Sequence, residues 1–128
     1  MREENGGPDG VGDDELGAVV GVLDDPHARA ILAETARSAR SVDTLAERID
    51  GSRSTLYRRV QRLVDLDLLA ESQEIDPDGH HFSTYRARLD RVTVDLDDDG
   101  FTVAVERAPV EDDAVDRLNR LFERLNGP

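Results

Sequence analysis

One short segment of the chain, residues 51–63 (GSRSTLYRRVQRL), contains four arginines and no acidic residue. This basic segment lies in a strongly acidic protein, since the 128 residues include 16 basic and 29 acidic side chains and carry a formal net charge of −13 at pH 7. Arginine can pair with guanine in the major groove of DNA, and glutamine can pair with adenine. Hydroxyl groups and the N–H groups at a helix N-terminus suit phosphate oxygens. These residue types therefore indicate contact with a nucleic acid.

The basic segment fits one α-helix with two distinct faces. At about 100° per residue, the apolar side chains gather on one side, and they are Leu56, Val60, Leu63 and Val64. The opposite side holds Ser54, Thr55, Arg58, Gln61 and Arg62, with Arg53, Tyr57 and Arg59 on the flanks. A solvated helix face without a function is the alternative, but elsewhere the chain uses Asp and Glu for its polar surface. We therefore expect residues 52–66 to be a DNA-reading helix.

Two helices joined by a tight turn are predicted to position this face. Ser41 can cap the first helix (SVDTLAERI), Asp50-Gly51 is a turn signal, and Ser52 can cap the second (RSTLYRRVQRLVDLDLL). An earlier helix is predicted in DDPHARAILAETARSA, with Asp25 as its N-cap and Pro26 at its first position. This order is the helix-turn-helix pattern.

After Leu69 the apolar period changes to that of β-strands. Residues 70–75 and 81–89 predict a hairpin around DPDGH, and RVTVDL with FTVAVER predicts a second hairpin around DDDG. The second hairpin alternates so that one face is wholly apolar. Because an isolated hairpin is marginally stable in water, this face should cover another part of the protein.

Both ends of the folded region are predicted to be helical. An apolar pattern at helical spacing starts at Asp13 or Asp14, and residues 111–126 repeat apolar residues at steps of three and four, which suits a helix–helix seam. The apolar residues of the first helix are Leu16, Val19, Val20 and Leu23, and those of the last are Val115, Leu118, Leu121, Phe122 and Leu125. Residues 1–12 are glycine-rich and acidic, so we expect a disordered tail.

Several classes of protein are disfavoured by composition. The absence of cysteine excludes disulfides and thiolate metal sites. No apolar run approaches the ~20 residues of a membrane span, and the N-terminus lacks the apolar core of a signal peptide, so a cytoplasmic location is expected. No Ser–His–Asp set, glycine-rich phosphate loop or carboxylate pair indicates catalysis, so we expect neither an enzyme nor a cofactor.

Two short motifs resemble metal sites only weakly. His80-His81 stands near Asp78, but adjacent strand residues point to opposite faces and cannot chelate together. Asp97-Asp98-Asp99-Gly100 lacks the further ligands of a calcium loop and fits a hairpin turn. No metal site is therefore predicted.

Residues 25–89 resemble the winged helix-turn-helix domain of ArsR-like transcriptional regulators. The resemblance lies in the order of helix, SVDTLAERI, SRSTLYRRVQRLVDLDLL and β wing, and in the LxxLxLL segment before the first wing strand. It implies DNA contacts by Arg53, Ser54, Thr55, Tyr57, Arg58 and Arg62 in the second helix. It also implies homodimerisation through residues 14–23 and 111–126. In the wing, Arg86 and Arg88 could reach phosphate or pair with Glu71 or Glu74, while the acidic tip at residues 76–79 does not suit the minor groove.

The charge pattern resembles that of proteins from salt-loving archaea. All 16 basic residues are arginine and most of the 29 acids are aspartate. A GC-rich genome would explain arginine in place of lysine, but not the acids. The hairpin at residues 91–107 also resembles a haloarchaeal variant of the family.

The sequence thus predicts an α+β fold with a disordered tail (1–12), a winged helix-turn-helix domain with its N-terminal helix (13–90), and a hairpin plus dimerisation helix (91–128). The predicted function is sequence-specific binding of double-stranded DNA by a homodimeric transcriptional regulator at high salt. A winged-helix module that binds protein, and a sequence-tolerant nucleoid-associated DNA binder, remain alternatives. The operator, the sign of regulation and any small-molecule effector are not indicated.

Overall fold

A computed structural model of the protein describes residues 13–109. Four helices come first: α1 (Asp13–Asp24), α2 (Pro26–Arg37), α3 (Val42–Arg48) and α4 (Arg53–Asp65). Two antiparallel hairpins follow: β1 (Leu69–Ile75) with β2 (His81–Ala87), and β3 (Leu89–Asp97) with β4 (Gly100–Arg107). This is the predicted α+β winged helix-turn-helix order. The predicted tail at 1–12 and the predicted helix at 111–126 lie outside the described residues.

Side-chain caps start helices α2, α3 and α4, as the sequence predicts. The Asp25 carboxylate accepts a hydrogen bond from the His27 N–H at 2.9 Å, and Pro26 occupies the first turn of α2. The hydroxyls of Ser41 and Ser52 each accept from the N–H three residues later, both at 3.1 Å. Each cap satisfies an N–H that has no partner within its own helix.

The turn between α3 and α4 requires glycine at position 51. Gly51 has φ 139°, which side chains disfavour. A β-carbon at this position would also lie 2.9 Å from Nε2 of His27. The close approach of α2 to this turn helps to set the orientation of α4 relative to α3.

Helix α4 is shorter than the sequence prediction of a helix through Leu69. Leu66 is the C-cap, and Asp67 has a left-handed φ of 63°. The N–H of Leu68 donates to the carbonyl of Leu63 at 2.8 Å, and that of Asp67 donates to Val64 at 2.9 Å. These two bonds form a Schellman motif, which ends the helix and sends Leu68 into the core. The predicted extension was wrong. The leucines of the turn and of the first strand continue the apolar pattern of the helix in the sequence, although they no longer belong to it.

The core lies between α2, the inner face of α4 and the base of the wing. Its members are buried aliphatic side chains together with Tyr85, and the fully buried ones include Ile31, Leu45, Leu56, Val60, Leu63 and Leu68. Backbone hydrogen bonds between Arg40 and Tyr85, at 2.8 and 3.0 Å, tie the α2–α3 connection to β2. The apolar face of α4 is therefore held on several sides.

The second hairpin has an apolar face that is buried only near its base. Val103 is 1% exposed and Val105 packs against the core, whereas Val94, Leu96 and Phe101 near the tip are 49%, 68% and 59% exposed. At the base, the Arg88 guanidinium donates to the Ala108 carbonyl at 3.0 Å and to the Asp67 carboxylate at 2.6 Å. Among the described residues, no helix is long and apolar enough to cross a membrane.

Candidate nucleic-acid interface

The outer face of α4 presents two arginines to solvent. Arg58 and Arg62 are exposed, and neither forms an ion pair with another residue in the 13–109 range. Tyr57 beside them is 52% exposed. The inner face of the same helix is locked in place, since Leu56, Val60 and Leu63 are fully buried. Two guanidinium groups and a phenol are thus displayed from a rigid support.

Hydroxyl groups cluster at the N-terminus of α4. The Ser52 hydroxyl lies 3.2 Å from that of Ser54 and donates to that of Thr55 at 3.0 Å. Ser54 is exposed, whereas Thr55 is half-buried within the cap. Of the predicted contacts here, Ser54 is the better placed to meet a phosphate, and Thr55 mainly supports the cap.

The other two arginines of the basic segment face acids. Arg53 forms an ion pair with Asp43 on α3, and both side chains are about two-thirds exposed, at 68% and 67%. Arg59 forms an ion pair with Asp25, the cap of α2, and these side chains are 35% and 20% exposed. Only Arg53 remains accessible enough to exchange its partner for a phosphate.

The Asp25–Arg59 pair joins α4 to the start of α2. Partial burial raises the pKa of Asp25, but the hydrogen bond from Arg59 and the backbone N–H of His27 outweigh it, so the net pKa is lowered. The charged carboxylate is therefore the form that this site stabilises. The sequence spacing placed Arg59 on the flank of the helix. In the structure it has a structural role, because its ion pair with Asp25 joins α4 to α2.

Gln61 influences the electrostatics of Tyr85 in the wing. Burial of Tyr85, followed by the nearby charge of Glu71, raises the pKa of the tyrosine, while side-chain hydrogen bonds with Ser83 and Gln61 act in the opposite direction. Gln61 is half-buried. Because it is less exposed than Arg58 and Arg62, we do not keep Gln61 among the proposed base-reading residues.

An open cleft of about 480 Å³ separates α4 from the wing. Its lining combines aromatic, hydroxyl and charged side chains: Ser41, Val42, Asp43, Arg53, Ser54, Tyr57, Phe82, Ser83 and Tyr85. Sequence reasoning missed Ser41, Phe82 and Ser83, because only the packing of β2 beside the helix-turn-helix brings them to Tyr57. The signal available in the sequence was that the first predicted hairpin directly follows the second helix.

The two predicted wing arginines differ in position. Arg86 is half-buried on β2, opposite Ala70. Arg88 follows β2, and its side chain is 19% exposed in the ion pair with Asp67. The expected alternatives for Arg88, Glu71 and Glu74, are not its partners. Arg88 connects the end of α4 to the second hairpin, so we leave it out of the proposed DNA contacts.

The wing tip brings three potential metal ligands together. The ligand atoms of Asp76, Asp78 and His80 lie within 4.8 Å of one another. However, the Asp76 carboxylate accepts the N–H groups of Asp78 and His80 at 2.9 and 2.8 Å, so it shapes the turn itself. Asp78 and His80 are exposed and Asp76 is half-buried. Together they form an acidic turn, which is unsuited to a phosphate backbone.

The α1 residues predicted for dimerisation are exposed to different degrees. Val19 is 1% exposed, so it packs within the subunit and is not available to a partner. Leu16 and Leu23 are half-buried, and Val20 is 47% exposed. The remaining predicted interface residues, Val115, Leu118, Leu121, Phe122 and Leu125, lie outside the described residues.

Comparison with known proteins agrees with this geometry. Residues 23–72 match a protein family described as a helix-turn-helix domain. The matched segment is similar in sequence to that family. It includes α2, α3 and α4, and it ends within the first wing strand.

The wider fold is similar to that of a solved ArsR-like transcriptional regulator from Rhodococcus sp. RHA1. The similarity has a TM-score of 0.50 and 20% sequence identity, and it covers 88% of this chain and 77% of that chain. No curated protein sequence matches the chain. The sequence match and the structural similarity together show a helix-turn-helix segment within a winged fold.

Proposed function

We propose that the protein is a sequence-specific regulator that binds double-stranded DNA as a homodimer, with α4 in the major groove. The observation that carries this proposal is the pair Arg58 and Arg62, exposed on the second helix of a helix-turn-helix domain whose inner face is fixed in the core. In this role Arg58 and Arg62 read base edges, and Tyr57 contacts bases or sugars beside them.

Phosphate contacts are assigned to the rim of the same surface. Ser54 and Arg53 lie at the N-terminus of α4, where a phosphate oxygen would meet a hydroxyl and a guanidinium. Ser41 and Ser83 line the same cleft. A sugar-phosphate strand that runs along this cleft would pass between α4 and the wing.

The proposal has to account for DNA binding by a protein of net charge −13. At molar salt the Debye length is about 3 Å, so charges act only at contact range. The acidic surface then repels DNA weakly, while close arginine contacts persist. This supports the proposal that the protein works at high salt, in the cytoplasm of a halophile.

A two-fold dimer would present two copies of α4 to one face of DNA. Half-sites about one helical turn apart, roughly 34 Å, in a near-palindromic operator would follow. The proposed dimer contacts are Val20, with Leu16 and Leu23 beside it on α1, and the apolar residues of segment 111–126. Arg86 remains a candidate phosphate contact of the wing.

A protein-binding winged helix is the competing function. Such a module would expose mainly apolar side chains on α4, whereas this helix exposes Arg58, Arg62 and Ser54, with Tyr57 as the one large apolar contribution among the described residues. A sequence-tolerant nucleoid protein would use the same arginines without base preference, so only a measured specificity ratio separates it from a regulator.

The test is a genome-wide map of chromosome-bound sites, followed by affinity measurements on recovered sites and on scrambled duplexes of equal composition in molar KCl. We expect a few sites with a shared near-palindrome, and a specificity ratio of at least ~10³. Broad occupancy with a ratio near one would favour the nucleoid protein. Absence of DNA binding at every salt concentration would contradict the proposal.

A further inference from the structure

The first hairpin, which forms the wing, is acidic as a whole. With neutral histidines, residues 69–87 contain four acidic residues and a single arginine, Arg86. Two of the acids, Glu71 and Glu74, are exposed along β1, and the other two belong to the tip. Proteins attract the phosphate backbone of DNA through lysine and arginine. The net charge of this hairpin therefore opposes contact with DNA, although the hairpin borders the cleft assigned to a nucleotide strand.

Hydrogen-bond donors of the wing do not replace the missing positive charge in the cleft. The Ser83 hydroxyl donates to the Glu71 carboxylate at 2.7 Å and accepts from the Gln73 amide at 2.7 Å. A hydroxyl has one proton to donate, so Ser83 has none left for a phosphate oxygen. Tyr85, which also lines the cleft, is 3% exposed and belongs to the core.

Phe82 is the remaining wing residue among the described residues that line the cleft. It lies on β2 and is 39% exposed. On α4, Tyr57 lines the same cleft and is 52% exposed. The wing thus offers a nucleotide strand an aromatic ring, beside the hydroxyl and guanidinium groups of α4. Phenylalanine suits the C–H surface of a nucleotide, such as the methyl group of thymine.

We propose that Phe82 binds the C–H surface of a nucleotide, on its deoxyribose or its thymine methyl group, so that the wing holds DNA by apolar contact and not by charge. This inference rests on the proposed function, because it places Phe82 against the strand beside α4. An apolar contact releases no counterions, so its share of the affinity does not fall with added salt. An acidic wing can therefore still contribute to binding at molar salt, where charges act only at contact range.

The experiment compares Phe82→Ala with the control Ile75→Ala. Ile75 is another exposed apolar residue of the same hairpin, at 65%, and it does not line the cleft. Its cross-strand pair with His81 is adjacent to the pair of Glu74 and Phe82. Fluorescence anisotropy over a KCl series, with a labelled duplex recovered from the chromosome-bound sites, gives the affinity. Thermal unfolding checks the fold of each variant.

We expect Phe82→Ala to weaken binding about 10-fold to 50-fold, because each of two subunits loses the burial of a phenylalanine that is 39% exposed. The loss should be equal at every KCl concentration. Ile75→Ala should change the affinity less than about twofold. Replacing thymine by uracil throughout the duplex distinguishes the two C–H surfaces. The effect of Phe82→Ala disappears in the uracil duplex if the methyl group is the contact, and it persists if the deoxyribose is.

Phe82→Arg provides a second variant with a different readout. An arginine at this position would reach a phosphate and release a counterion, so the plot of log affinity against log salt should become steeper by about one for each subunit. This slope also decides the matter if Phe82→Ala lowers the melting temperature. An unchanged slope in Phe82→Arg would overturn the inference.

Two further results would contradict a contact between Phe82 and DNA of this kind. One is wild-type affinity in a folded Phe82→Ala variant. The other is a loss of affinity that shrinks toward high salt, since that dependence would indicate an electrostatic effect. A wild type that binds no DNA would overturn the proposed function together with this inference, whereas undiminished binding by Phe82→Ala overturns this inference alone.

Discussion

Two adjacent arginines on α4, Arg58 and Arg59, should affect different properties of the protein when each is changed to alanine. Arg58 is exposed without a described ion-pair partner, while Arg59 is paired with Asp25 across 34 residues of sequence. Arg58→Ala should therefore remove DNA affinity and leave stability unchanged. Arg59→Ala should lower stability. The two variants serve as matched controls, because they lose the same side chain from neighbouring positions of one helix.

The expected magnitudes follow from these environments. A bidentate arginine–guanine contact contributes ~1–3 kcal/mol, and a dimer loses two of them, so Arg58→Ala should weaken operator binding by roughly 30-fold to 10⁴-fold. A hydrogen bond between charged groups contributes about 1.5–3 kcal/mol. Because Arg59 is 35% exposed, screening reduces this to about 1–2 kcal/mol, or a fall of roughly 3–10 °C in melting temperature.

Fluorescence anisotropy with a labelled operator and thermal unfolding by circular dichroism would measure both quantities in the same molar KCl buffer. Asp25→Asn should reproduce much of the Arg59→Ala loss, and the double variant should add little, because both changes remove one interaction. Equal destabilisation by Arg58→Ala and Arg59→Ala would refute the reasoning, since it would give Arg58 a structural role. Undiminished operator binding by Arg58→Ala would refute the assignment of α4.

Four further predictions concern salt, charge, pH and dimerisation. Operator affinity should fall less steeply with added KCl than for an ordinary repressor, or should rise; a steep linear loss of log affinity in a KCl titration would contradict this. Asp43→Asn releases Arg53 and should tighten binding up to about fivefold in the anisotropy assay, while weaker binding would show that Asp43 positions Arg53 productively. Because the folded pKa of Asp25 is lowered, its stabilisation is complete above the unfolded value near pH 4 and is lost as pH falls through the folded value. Acid unfolding should therefore show less pH dependence in Asp25→Asn than in the wild type, and identical profiles would contradict this. Finally, Leu118→Asp should give monomers by light scattering, and an unchanged mass would remove residue 118 from the seam.

Features determined by neighbouring residues were predictable from the sequence. The caps Asp25, Ser41 and Ser52 each act on an N–H two or three residues away, so their side-chain types were sufficient to place them. The apolar and polar faces of α4 follow from helical geometry. The hairpins follow from strand alternation, with turns at Gly79 and Gly100 that adopt positive φ.

Features determined by the tertiary fold were not predictable in this way. Four arginines look alike in the basic segment, but distant acids occupy two of them, and spacing along the chain does not reveal those pairs. Arg88 binds Asp67, which is 21 residues away, because the Schellman motif at the end of α4 places that carboxylate at the hairpin junction. The end of α4 was also not predictable. The residue that follows its C-cap in the left-handed conformation is Asp67, whereas glycine is the usual sequence signal at that position.

One arginine mechanically couples the reading helix to the rest of the subunit. Arg107 donates to the carbonyls of Leu66 and Asp67 at the end of α4, at 3.0 and 2.9 Å, and also pairs with Glu15 on α1. A displacement of α1 or of the second hairpin therefore pulls on the last turn of α4. Arg107 thus links the end of α4 to the position of these two elements, so in the proposed function a shift of either element would also affect the contact of α4 with DNA.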